Sequence, residues 1–174
     1  MRVGEKRVVC VGKWPVVLGR DADVSIRGTS VSRQHCELSL VGDGRIRIKD
    51  LASRNGTLLA RVPIQSSLDV DSGVQLGLGD DVHAQLSLIP SATSNAIQVE
   101  VLDGPDRALV ALLGEERMQL TGTRASIEFV NGRASLHAQD GASLRLAGIV
   151  TTMPIVLLRG DSIEVDGVRV EVSA

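Results

Sequence analysis

Apolar and polar residues alternate in short bursts along this chain, and small, polar or glycine-containing turns separate the bursts. Val24-Ser25-Ile26, Cys36 to Leu40 and Ile46-Arg47-Ile48 put every second side chain on an apolar face, the two-residue period of a half-buried strand. Val8 to Val11, Trp14 to Leu18, Thr57 to Leu59, Val74 to Leu76 and Val82 to Ile89 add further predicted strands. The first of these is reached through a loose alternation from Arg2. Turn signals stand between them: Gly12-Lys13, Asp21-Ala22-Asp23, and the Asp-Gly hairpin Val41-Gly42-Asp43-Gly44. No stretch has a convincing helical period. The pattern predicts an all-β sandwich.

The stretch 90–95 (PSATSN) is small and polar throughout and reads as a linker. Beyond it the pattern restarts. Ala142 to Leu146 echoes Gly56 to Ala60 at an offset of 86 (142 − 56), and Val168, Val170 and Val172 echo Val82, Ala84 and Leu86 at the same offset. The expected organisation is a first domain over 1–90, a linker over 91–95 and a degenerate copy of the same fold over 96–174.

Composition narrows the function. The chain has 174 residues, a formal net charge of −2 and well-mixed charges, which argues against nucleic acid as a primary partner. No apolar run is long enough to span a bilayer and no leader-like start is visible, so a cytoplasmic protein without direct membrane insertion is expected; a longer, membrane-anchored parent stays open. Trp14 and Phe129 are the only aromatics, so Val, Leu and Ile must fill the core. Cys10 and Cys36 make no disulfide framework, and Cys36 falls on an inward strand position, as a buried free thiol would.

Three turns carry polar residues that a plain β-protein does not need: Gly19-Arg20, then Ser32-Arg33-Gln34-His35, then Ser53-Arg54-Asn55-Gly56. If the strands beside them pack together, guanidinium groups, a hydroxyl and an amide gather at one end of a sheet. Such a cluster suits a phosphate on an extended peptide. Three turns in this order and spacing resemble the forkhead-associated (FHA) domain, a phosphothreonine-peptide reader, over roughly the first 90 residues. The later run Arg159 to Val165 is also similar to the end of an FHA domain. The resemblance implies two FHA-like β-sandwiches in tandem.

It also implies roles. Arg20 is the main phosphate ligand, because a guanidinium meets phosphate oxygens as a fork. Ser32 gives its hydroxyl, and often its backbone N–H, to the phosphate. Arg33 and Arg54 add contacts, with Ser53 able to stand in for Arg54. Asn55 holds the peptide main chain just after the phosphothreonine. Gly19, His35 and Gly56 support the site. His35 has no partner at metal-ligand spacing, and His83 and His137 read as solvated or packed. In the second copy Gly114-Glu115 is expected where Gly19-Arg20 would fall, with Thr123, Ser126 and Gly141-Ala142 replacing the other motif residues, so that copy should not bind phosphate.

No nucleophile–base pair, metal spacing or phosphate-cradling loop before a helix is present, so neither an enzyme, a metal nor a cofactor is expected. The leading function is an adaptor that binds a phosphothreonine-containing protein downstream of a Ser/Thr kinase. The alternative is a structural scaffold, such as the cytosolic FHA-like ring component of a bacterial secretion apparatus.

Overall fold

The structure, a computed structural model, describes residues 7–42, 44–90, 95–131, 133–146, 148–151 and 155–173. The expected strand residues Arg2 to Lys6, the turn residue Asp43 and most of the expected linker, 91–94, lie outside them. The elements are all strands. The first half contributes β1 (Arg7–Val11), β2 (Val16–Gly19), β3 (Val24–Ser25), β4 (Cys36–Leu40), β5 (Ile46–Asp50), β6 (Thr57–Leu59), β7 (Val62–Pro63), β8 (Ser67–Val70), β9 (Val74–Leu78) and β10 (His83–Pro90). The second contributes β11 (Asn95–Val101), β12 (Leu109–Leu113), β13 (Met118–Gln119), β14 (Ala125–Val130), β15 (Arg133–Ala138), β16 (Leu144–Leu146), β17 (Ile149–Thr151), β18 (Ile155–Leu157), β19 (Ser162–Val165) and β20 (Val168–Val172).

The strands form one long sheet and two shorter ones. The long sheet runs β17-β16-β19-β20-β1-β12-β11-β10-β9-β6-β7, beside a five-stranded sheet β3-β2-β4-β5-β8 and a four-stranded sheet β13-β14-β15-β18. The two shorter sheets cover opposite faces of the long one. Alternation within β1 shows this: Val9 and Val11 join the core with Val16, Leu18 and Leu38, whereas Val8 and Cys10 join the core with Met118, Ile127 and Leu136. Buried Val, Leu and Ile carry both cores, as the shortage of aromatics requires. Cys36 is buried and free, as expected, and burial, helped by the charge of Asp50, pushes its thiol pKa up.

The two halves repeat one strand order. β6-β9-β10 opposite β2-β4-β5-β8 in the first matches β16-β19-β20 opposite β13-β14-β15-β18 in the second. They also trade strands at the centre. β10 and β11 pair as an antiparallel hairpin down to Pro90↔Asn95, so the expected linker joins two strands of one sheet. From the far side of it, Ile97, Val99, Val101, Leu109, Ala111 and Leu113 complete the first core. In return β1 lies parallel to β20 and completes the second. β1 and β12 run side by side in parallel register, Arg7↔Leu109 to Val11↔Leu113.

Candidate functional site

Two connections and one strand end build the site. β2 ends at Gly19, whose backbone lies directly beneath the loop that follows β3. A β-carbon added there would stand 2.2 Å from the Arg33 carbonyl oxygen and 2.9 Å from that of Ser32. Only glycine permits that approach. The loop is then laced to β2: Arg20 N–H donates to Ser32 O (2.9 Å), Asp21 N–H to Arg33 O (2.9 Å), and His35 N–H to Leu18 O (2.9 Å). Gly19→Ala must push this loop away from β2. The expected result is a loss of about 1–3 kcal/mol of stability. Thermal melts check it, and an unchanged melting temperature in the variant would count against the geometry.

The turn between β5 and β6 is organised by a carboxylate. Asp50 accepts the Ser53 hydroxyl (2.6 Å), the Ser53 N–H (3.0 Å) and the Thr57 hydroxyl (2.6 Å). Burial pushes Asp50 up, but these donors and the nearby His35 outweigh it and hold the carboxyl below its usual range. Gly56 sits at φ +79°, a conformation that glycine takes without strain.

Ser32 and His35 join the two connections. The Ser32 hydroxyl oxygen accepts the Arg54 N–H at 2.9 Å, so its own proton stays available to donate. The Ser32 N–H donates to His35 Nδ1 at 3.0 Å, which differs from the expectation that it would serve a phosphate. With Nδ1 accepting, Nε2 carries the ring proton and donates to Gly56 O at 3.1 Å. His35 is fully buried and ties one loop to the other through a neutral ring.

Burial lowers the His35 pKa below 6.5, and the Gly56 carbonyl and the Asp50 charge only partly offset it. The folded state thus resists a proton that the unfolded chain takes up near pH 6.5. The stability this contributes is complete above that pH and is lost as pH falls from there through the folded pKa. We expect stability from urea titration to decline over the interval just below pH 6.5, and His35→Gln to flatten that decline. A wild type with constant stability across the interval would contradict the assignment.

An open depression of about 680 Å³ lies over these loops, lined by Arg20, Ser32, Arg33 and Arg54 together with Asp21, Gln34, Leu51 and Ala52. The structure thus brings four of the five expected ligand residues to one hollow. Arg20 is exposed but aimed, because its Nε donates to Val31 O at 2.6 Å. Among the described residues none of the three arginines forms an ion pair. Asn55 does not line the hollow; it is exposed and its amide donates to Ser30 O at 2.8 Å. Sequence reasoning missed Asp50 as the organiser of the second turn, although Asp is a turn residue whose side chain readily bonds the backbone just after it. His83 is not alone either: its Nδ1 lies 2.7 Å from Asp103. Among the described residues no group of three or more His, Cys, Asp or Glu could hold a metal ion. No helix among them is long and apolar enough to cross a membrane.

The second half has no such loop. Strand pairing sets Leu18 opposite Cys36, but sets Leu120 opposite Ala125, so eighteen positions (36 − 18) shrink to five (125 − 120). The expected equivalence of Gly114-Glu115 with Gly19-Arg20 does not hold. The β1–β12 register continues from Val11↔Leu113 to place Gly114 beside Gly12, before β13 begins. A repelling carboxylate at that place was expected, whereas the difference lies in the loop, which is reduced to a tight turn.

Residues 16–87 match the family model of the FHA domain. Among solved structures, the FHA domain of the CT664 protein from Chlamydia trachomatis is 29% identical, with 40% of this chain and 70% of that chain covered and a TM-score of 0.36. An FHA domain solved for a structural and functional analysis of phosphothreonine-dependent FHA domain interactions is 31% identical, covering 37% of this chain and 68% of that chain, TM-score 0.34. The FhaA FHA domain complexed with the intracellular domain of Rv3910 is also 31% identical, covering 37% and 71%, TM-score 0.34. No curated protein matches. The chain belongs to the FHA domain family, through its first half.

Proposed function

We propose that the chain is a phosphothreonine-peptide-binding adaptor, acting in the cytoplasm downstream of a Ser/Thr kinase by binding rather than catalysis. The observation that carries the reading is the hollow where Arg20, Ser32, Arg33 and Arg54 meet. A phosphothreonine brings nearly two negative charges and three acceptor oxygens near neutral pH. Three unpaired guanidinium groups and a hydroxyl with a free proton match it in charge and in donors. Charge-assisted hydrogen bonds contribute about 1.5–3 kcal/mol each, so two or three of them, with main-chain contacts, reach about −8 kcal/mol, or micromolar affinity. Leu51 and Ala52 offer apolar surface to the threonine methyl, whose burial favours threonine over serine by about 0.8 kcal/mol. The stiffer threonine rotamer adds to that preference.

We read the second half as a degenerate copy of the FHA sandwich, supported by the repeated strand order. Its recognition loop is reduced to a tight turn, so we give it no phosphate site of its own.

The test is calorimetry with a phosphothreonine peptide drawn from a degenerate library, its phosphoserine analogue and its unphosphorylated form. Micromolar binding of the first, weaker binding of the second and none of the third is expected. Equal affinity for the first and third would sink the reading and leave a scaffold that uses the fold for assembly alone.

A further inference from the structure

The phosphate loop starts at Arg27, and what holds Arg27 comes from the other half of the chain. The Asp106 carboxylate accepts the Arg27 backbone N–H at 2.6 Å, its Nε at 2.9 Å and its Nη2 at 2.6 Å, and Nη2 also reaches Pro105 O at 3.3 Å. The Asp106 side chain is only 3% exposed, against 68% for Arg27. A carboxylate so shielded from water is tolerable only while its partners stay in place. Burial would raise its pKa, but the Arg27 donors and charge outweigh that and hold it below the usual range.

The connection that carries Asp106, between β11 and β12, is itself anchored. Leu102 N–H donates to His83 O (2.9 Å), and Asp103 accepts the His83 N–H (2.6 Å). Two residues after Arg27, the loop meets a second anchor. Asp81 accepts the N–H (2.8 Å) and hydroxyl (2.7 Å) of Thr29 and the N–H (3.2 Å) and hydroxyl of Ser30. Residues 27–30 are therefore fixed from two directions before the chain reaches Val31, which orients Arg20, and Ser32.

We propose that Asp106 is a positioning residue for the phosphate loop, so that both halves of the chain form one recognition unit. The proposal rests on the phosphothreonine reading for its binding consequence but not for its structural one. It also gives the second half a role without a ligand of its own: it sets the entry of the loop that reads the phosphate.

The experiment uses the full chain. Asp106→Ala is titrated with a phosphothreonine peptide, and backbone amide spectra are compared with wild type. We expect affinity to fall about tenfold, with the Val31, Ser32, Arg33 and Arg54 amides shifted or broadened and those of Ile46 and Ile48 unmoved. Asp106→Asn, which keeps an acceptor for the Arg27 N–H, should fall between the two. Should Asp106→Ala not fold, Arg27→Ala gives the same readouts while keeping its backbone bond to Asp106. A folded variant with unmoved loop amides and wild-type affinity overturns the proposal. If wild type itself shows no phosphate-dependent binding, the phosphothreonine reading fails, and the loop amides alone decide the role of Asp106.

Discussion

Replacing Arg20 with alanine is expected to abolish the difference in affinity between a phosphothreonine peptide and its unphosphorylated form, while the protein still folds. Of the five N–H donors of a guanidinium, Nε is occupied by the Val31 carbonyl, which leaves the terminal nitrogens for a ligand. Losing one or two charge-assisted bonds to phosphate costs about 2–3 kcal/mol, or roughly 30- to 150-fold in affinity. A micromolar interaction then drops out of a useful range. The fold loses only one hydrogen bond at an exposed side chain, about 1 kcal/mol. Arg20→Lys should restore little, because an ammonium keeps the charge but not the fork. Calorimetry against both peptides, with a melt for each variant, measures this. If Arg20→Ala still prefers the phosphorylated peptide by the wild-type margin, Arg20 is not the anchor.

A chain cut after residue 94 is expected not to fold at all. The cut keeps every residue of the phosphate motif yet removes Ile97, Val99, Val101, Leu109 and Leu113 from the first core. Each such side chain contributes about 1.5–3 kcal/mol when buried, and together they rival a domain's whole net stability of about 5–15 kcal/mol. The cut also exposes the edge of β10 and takes away Asp106, the partner of Arg27. Circular dichroism under urea and amide dispersion are the measurements. A cooperative transition and a dispersed spectrum from residues 1–94 would show that the first half stands alone.

Much of the fold could be read from local pattern. β4 and β5 alternate cleanly, and their neighbours end in the turns that carry the site. β8 escaped notice because Ser67 and Leu68 are both exposed and only Val70 is buried, so no two-residue period shows. The hollow was legible because its residues sit in short turns beside readable strands. Its details were less so: whether the Ser32 N–H faces a ligand or His35 depends on a ring placed by tertiary contacts. The strand exchange left no local trace. β11 carries Ala96, Ile97, Val99 and Val101, which would suit the interior of either half, and pairing across so many residues is set by packing rather than by neighbours in sequence. The same blindness led to Gly114-Glu115, where matching residue types outweighed an unseen register.

The central position of β1 bears on how the molecule is made. Its flanking partners are β12 and β20, and β20 is the last of the described strands. β1 is therefore made well before either of the strands that flank it. Contacts this distant in sequence make for slow folding, and an apolar strand without its neighbours is a place for nascent chains to associate. The long sheet is closed only once β20 has emerged and found a strand made far earlier in the chain.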